Sequence, residues 1–211
     1  MVYLVDDEAV VRDALAWLLR SRRLLSEGFP QAEAFEAWLA PRLQAGDWPD
    51  SPACLLLDVR MPGTSGLVLF EHLVERGLIE ALPVIFLTGH GDVPMAVTTM
   101  KKGAMDFIEK PFKEDELIGL VERMLDQARS AFAQHQEQAS RDALLSRLTT
   151  REAQVLERIV AGRLNKQIAD DLGISIKTVE AHRANIMEKL NANTVADLLK
   201  IALGANAPVK A

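Results

Sequence analysis

Four short apolar runs in this chain end in residues that carry chemistry. "VYLV" is followed by Asp6 and Asp7, "ACLLL" by Asp58, "PVIFL" by Thr88, and "MDFIE" by Lys110. Two adjacent carboxylates about 4 Å apart repel by roughly 4 kcal/mol at an effective dielectric near 20. Positive charge is therefore expected beside Asp6 and Asp7. Three carboxylates meeting at one sheet edge call for a hard divalent cation, and a few oxygen ligands with several retained waters suit Mg²⁺.

The elements that would bring these residues together follow from periodicity. Short apolar strands alternate with amphipathic helical patterns over residues 1–125: "VYLV", a helix from about Glu8 to Arg22, a weak strand "LLSEGF", a helix at "AEAFEAWL", and "ACLLLDV". A helix at "SGLVLFEHLVE", the strand "PVIFLT", a helix at "VPMAVTTMKK", the strand "MDFIEK" and a helix from about Glu114 complete the series. Five such units predict an α/β doubly wound, five-stranded parallel sheet with helices on both faces. In such sheets the site lies beyond the carboxyl ends of the strands, where Asp6, Asp7, Asp58, Thr88 and Lys110 all fall.

From Leu120 to Ala161 there is neither Gly nor Pro, so the last of these helices is expected to run on as a linker over 126–147. A coiled-coil face through Ile118, Val121, Leu125, Ala128 and Phe132 is one reading of it, a solvated helix the other. Beyond it, Thr149 and Glu152 stand at capping-box spacing before "EAQVLERIV". "NKQIADDLG", a turn at "GIS" and "IKTVEAHRANIMEKL" then form two helices joined by a tight turn, and "TVADLLKIAL" adds a further helix. This predicts a small all-α helix-turn-helix domain over 148–211.

Composition narrows the classes. With 49% hydrophobic and 26% charged residues the chain reads as a soluble globular protein. It has no apolar run near the ~20 residues of a membrane span and no secretory signal, so cytoplasmic localisation and no membrane partner are expected. Its single cysteine, Cys54, is expected to be a buried core residue. The net charge is −6, unevenly spread: residues 1–125 hold 12 Lys+Arg against 20 Asp+Glu, residues 148–211 hold 9 against 7. An acidic, ion-binding half thus precedes one able to approach phosphates. "KEDE" at 113–116 reads as the acidic first turn of a helix, and His72, His90 and His135 as isolated surface or loop histidines.

"VDDE", "LLLDVRMPGTSG", "FLTGHGD" and "DFIEKPF", in that order, resemble the receiver domain of two-component response regulators over residues 1–125. The resemblance implies that Asp58 accepts a phosphoryl group from a sensor histidine kinase. It also implies that Mg²⁺ is held by Asp7 directly, by Asp6 largely through water, by Asp58, and by the backbone carbonyl of Arg60. Thr88 would hydrogen-bond the phosphoryl oxygens, Lys110 would pair with them, and Phe107 would be the switch aromatic; a cis peptide before Pro111 would aim Lys110 inward. Such a receiver is not an enzyme beyond assisting its own phosphoryl transfer and slow dephosphorylation. A haloacid-dehalogenase-type phosphatase also uses an aspartyl nucleophile, but needs a second aspartate where this chain has Arg60.

Residues 149–203 resemble the LuxR-type helix-turn-helix, and the whole chain resembles the FixJ-type response regulators of the NarL/FixJ class. On a helical wheel Ile176, Val179, Ile186, Met187 and Leu190 share the inner face. Asn165, Lys166, Lys177, Thr178, His182 and Lys189 are expected to hold DNA phosphates, and Glu180, Ala181, Ala184 and Asn185 to face the groove floor. The bland reading of the same helices is an oligomerisation module. The resemblance implies double-stranded promoter DNA and RNA polymerase as partners and a homodimer on phosphorylation. The alternative is a phosphorylation-independent DNA-binding regulator whose receiver serves only as an interaction domain.

Overall fold

The computed structural model describes residues 1–46, 48–89 and 93–204. Five strands, β1 (Val2–Val5), β2 (Ser26–Phe29), β3 (Cys54–Asp58), β4 (Val84–Thr88) and β5 (Asp106–Glu109), form one sheet in the order β2-β1-β3-β4-β5. Every pairing is parallel. Helices α1 (Ala9–Ser21), α2 (Ala32–Ala45), α3 (Gly66–Glu75), α4 (Val93–Lys101) and α5 (Glu114–Leu145) follow the strands in turn. The order reverses between β1 and β3, which opens the crevice where ligands of such sheets bind.

Strand alternation sends successive side chains to opposite faces. Tyr3, Val5, Leu55, Leu57, Val84 and Phe86 pack under α2 and α3 with Phe35, Leu39, Leu69, Phe70 and Leu73. Val2, Leu4, Cys54, Leu56, Ile85 and Leu87 pack under α1 and α5 with Leu15, Leu19, Leu117, Val121 and Met124. Cys54 is fully buried, as expected. Helix α2 runs past the expected "AEAFEAWL" and through Pro41, ending at Gly46 in the left-handed conformation, φ 72°.

The chain divides into two units, 1–133 and 134–211. Helix α5 is continuous from Glu114 to Leu145 and carries Glu114, Asp115 and Glu116 in its first turn. Of the residues on the candidate coiled-coil face, Ile118, Val121, Leu125 and Ala128 are buried and Phe132 is half-buried.

The second unit holds α6 (Thr150–Val160), α7 (Asn165–Leu172), α8 (Ile176–Lys189) and α9 (Val195–Leu203). Thr149 and Glu152 form the full capping box. Val155, Ile159, Ile168, Val179, Ile186, Leu190 and Leu198 make its core, with Leu144, Leu145 and Leu148 packed against it. Arg151 of α6 donates from Nη2 to the Leu172 carbonyl at 2.7 Å, satisfying an end of α7 that has no intrahelical donor. Ile176 departs from the wheel: it is 45% exposed, because the first residue of α8 extends past the core that Val179 begins. Among the described residues no helix is long and apolar enough to cross a membrane.

Candidate functional site

The sheet brings Asp6, Asp58 and Lys110 to one place. Lys110 Nζ donates to Asp6 Oδ2 and to Asp58 Oδ1, each at 2.7 Å. Asp6 and Asp58 are 1% and 6% exposed, so this ammonium sits between two carboxylates largely out of water. Asp58 Oδ2 accepts the backbone N–H of Arg60 at 2.8 Å, and Asp6 Oδ1 that of Glu8 at 2.9 Å. The Lys110–Pro111 peptide is cis. Burial raises the pKa of Asp58 against the opposing pull of its hydrogen bond and attraction to Lys110. Burial also pulls Lys110 down, but its hydrogen bonds to Asp58 and Asp6 outweigh this and leave its pKa raised.

Lys110 joins two of the three expected acids, Asp6 and Asp58. Asp7 is exposed, and among the described residues no three His, Cys, Asp or Glu side chains gather closely enough to hold a metal ion. Asp6 and Asp7 both lie past Val5, the last residue of β1, where the Asp6 carboxylate is held by Lys110 and the Glu8 N–H while Asp7 stays in solvent. Asp6 and Asp58 offer carboxylate oxygens, and the exposed Asp7 carboxylate follows Asp6 directly in the chain. Mg²⁺ is usually held by one or two carboxylates and waters. The donors therefore fit that ion, with Lys110 supplying positive charge to the same carboxylates.

Neighbouring elements fix the site. Thr88, 2% exposed, ends β4, and its carbonyl accepts the Lys110 N–H at 2.6 Å. Phe107 is half-buried on β5, its ring 6.0 Å from that of Phe86. Gly66 begins α3 so near the end of β3 that a Cβ there would lie 2.0 Å from the Asp58 carbonyl oxygen. No residue larger than glycine allows that approach. Ser65 caps α3 by accepting from the Val68 N–H. Of the histidines, His72 is not isolated: its Nδ1 lies 2.9 Å from Glu36 Oε1. His135 is exposed, and His90 lies outside the described residues.

On the second unit, Lys177, Thr178, Glu180, Ala181, Ala184 and Asn185 are placed along α8, all six exposed, while His182 among them is half-buried. Ser175 accepts the Thr178 N–H at 3.1 Å, and the two hydroxyls lie 2.8 Å apart. Asn165 and Lys166 begin α7, half-buried and exposed. Lys189 is the exception. Its Nζ lies 2.6 Å from Glu152 Oε2, so its charge is committed to a buried carboxylate instead of standing free for a phosphate. The capping-box spacing announced Glu152, but nothing local in the sequence announced its partner 37 residues on.

Comparison with known proteins agrees with this division. Residues 2–122 match the response regulator receiver domain, and residues 146–202 the bacterial regulatory proteins of the luxR family. The chain is 46% identical over 204 residues, 96% of its length and 91% of the relative's, to the transcriptional regulatory protein FixJ of Azorhizobium caulinodans. The chain belongs to the FixJ-type response regulators. It is also 39% identical to FixJ of Bradyrhizobium diazoefficiens, over 97% of this chain and 95% of that one. Among solved structures it resembles the response regulator StyR with a TM-score of 0.79 and 40% identity, covering 96% of this chain and 97% of that one. A receiver with a LuxR-type DNA-binding domain makes it a two-component transcriptional regulator and not an enzyme in the ordinary sense.

Proposed function

We propose that Asp58 accepts a phosphoryl group from a sensor histidine kinase, and that the phosphorylated chain dimerises and binds double-stranded promoter DNA to regulate transcription with RNA polymerase. The observation that carries the first step is Lys110 Nζ at 2.7 Å from both Asp6 and Asp58. A carboxylate oxygen of Asp58 attacks phosphorus, forming an acyl phosphate. The bond from phosphorus to the kinase's histidine nitrogen breaks, and that nitrogen keeps the electron pair. Catalysis here is positioning and charge compensation, since the transition state spreads negative charge over three oxygens. In this reading Lys110, 2.7 Å from both carboxylates, would pair with it, and the Thr88 hydroxyl would donate to it. Asp7 directly, Asp6 largely through water, Asp58 and the Arg60 carbonyl would hold Mg²⁺, which would supply charge that neutralises the same developing negative charge.

Coupling to DNA requires a two-state element. Thr88 with Phe107 is the candidate, and α4, which packs against β5, exposes Val97 and Met100 by 48% and 42%. On α8, Glu180, Ala181, Ala184 and Asn185 are assigned to base edges, with Asn165, Lys166, Lys177, Thr178 and His182 assigned to phosphates.

Acetyl phosphate or a kinase with Mg²⁺ is expected to label Asp58, and Asp58→Asn to abolish the label. Labelling that survives in the variant moves the site elsewhere. Sedimentation with phosphoryl donor is expected to show monomer becoming dimer. Equal DNA affinity with and without donor would instead favour a receiver that serves only as an interaction domain.

A further inference from the structure

The residue that finishes the acidic pocket is Arg12 on α1. Its Nη1 donates to the backbone carbonyl of Asp6 at 2.6 Å, at the end of β1 where the ladder to β2 runs out: the Asp6 N–H reaches the Phe29 carbonyl at 3.2 Å, and Phe29 is the last residue of β2. The side chain gets there by crossing β2 at Gly28, where a Cβ would lie 3.6 Å from Arg12 Cδ. Asp6 is thus held at its carbonyl by Arg12, at Oδ1 by the Glu8 N–H and at Oδ2 by Lys110. Glu8, the N-cap of α1, makes no side-chain cap bond, so the turn from β1 into α1 depends on Asp6 and Arg12 for its shape.

We propose that Arg12 is a positioning residue of the phosphorylation site, fixing through the Asp6 carbonyl the strand end from which Asp6 presents its carboxylate to Lys110 and to Mg²⁺. This rests on the reading of Asp58 as phosphoacceptor, but its own consequence is a cation site that loosens when Arg12 is removed. Partners that orient a ligating carboxylate are worth about 10–100-fold in metal affinity or activity.

The full chain and its Arg12→Ala, Arg12→Lys and Leu39→Ala variants are compared in two measurements: Mg²⁺ affinity by calorimetry without phosphoryl donor, and the rate of Asp58 labelling by acetyl phosphate with Mg²⁺. Leu39, on the core-facing side of α2 and with no polar group to offer Asp6, Asp58 or Lys110, reports the effect of lost stability alone. Arg12→Ala is expected to weaken Mg²⁺ binding and slow labelling by about tenfold each. Arg12→Lys, which keeps one donor and the charge, is expected to recover at least half of both on a logarithmic scale. The proposal is overturned if Arg12→Ala stays within twofold of the parent in Mg²⁺ affinity. It is equally overturned if Leu39→Ala at matched melting temperature shows the same losses, or if Arg12→Lys recovers nothing. Should Arg12→Ala not fold, Arg12→Lys and Arg12→Gln carry the same comparison: an intermediate loss is expected in each, and parent-like Mg²⁺ affinity in both overturns the proposal. A parent chain unlabelled at Asp58 refutes the phosphoacceptor reading instead, and the calorimetric arm then decides the role of Arg12 by itself.

Discussion

Each half of the molecule sets a lysine against buried carboxylate, and the two arrangements differ in their balance. In the helical half Lys189 meets one buried acid, Glu152, which also accepts the N–H and hydroxyl of Thr149 at 2.8 and 2.9 Å. Charge is matched, and the hydrogen bond from Lys189, followed by that from the Thr149 backbone, takes the Glu152 carboxyl down to about 2. In the receiver half Lys110 meets two acids, and burial leaves Asp58 with its pKa raised. A matched pair fastens α6 to α8. An unmatched cluster retains negative charge that a further cation can neutralise, which is what a metal-assisted phosphoacceptor requires and what stability alone does not favour.

Breaking the matched pair is expected to give the largest effect. Removing one partner of a buried pair costs about 3–5 kcal/mol, and because Lys189 is 35% exposed, about 2–3 kcal/mol is expected for Glu152→Leu after allowing for solvent screening. All three tryptophans, Trp17, Trp38 and Trp48, lie in the first unit. A far-UV circular dichroism melt of Glu152→Leu should therefore lose helix early while tryptophan fluorescence keeps the parent midpoint. Coincident early transitions by both probes would contradict the contrast between the halves.

The same pair fixes a pH dependence. The folded-state value of Glu152 lies below its ordinary 4.5, so its contribution is fully present above about pH 4.5 and is lost as pH falls toward 2. Over that window the helical unit is expected to lose up to roughly 3 kcal/mol. Repeating the titration with Glu152→Gln tests this: a helical signal with the parent's full acid dependence would assign the loss to other carboxylates.

For the unmatched cluster the sign reverses. A buried acid whose pKa is raised favours its protonated form on folding, so Asp58 stabilises at low pH and weakens the fold as pH rises past its ordinary value. In Mg²⁺-free buffer near neutral pH, Asp58→Asn is expected to stabilise the receiver by about 1 kcal/mol, read as a higher fluorescence midpoint, while abolishing phosphorylation. A lower midpoint would mean that Lys110 needs both acids and that the cluster is structural after all.

What the sequence made legible divides along the same line. The β-α alternation, the parallel sheet and the strand-end placement of Asp6, Asp58, Thr88 and Lys110 were readable because period and position in a strand are local properties. The wheel of α8 correctly assigned Val179, Ile186 and Leu190 inward. The long-range pairings were not readable: Lys189 to Glu152 crosses 37 residues. Ile176 follows helical period yet lies past the end of the core, which no wheel encodes. Adjacency in sequence did not say that Asp6 would be buried on Lys110 while Asp7, one residue further past the strand, stays exposed. Arg12 carried no motif at all, and only the glycine opposite it on β2 hinted at a side chain crossing there.

The effect that is read in binding and not in stability concerns DNA, and it separates the two lysines that looked alike in the sequence. Lys166 is exposed at the start of α7, where backbone N–H groups without intrahelical acceptors and the positive end of the helix dipole favour a phosphate. Lys189 lies at the end of α8 with its ammonium on Glu152. Each phosphate that a lysine neutralises releases about one counterion, so the slope of log affinity against log salt falls by about one unit for every such lysine removed. Lys166→Ala is therefore expected to reduce the slope by about one unit and to weaken all sequences alike. Lys189→Met, assayed well below its melting transition, is expected to leave the slope nearly that of the parent because its charge was never offered to DNA. Glu180→Ala serves as the contrasting base reader, shifting preference at one base pair by about 1–3 kcal/mol with no change of slope. If Lys189→Met lowers the slope as much as Lys166→Ala, the lysine leaves Glu152 to meet DNA, and the matched pair is itself a switch and no longer a fastening.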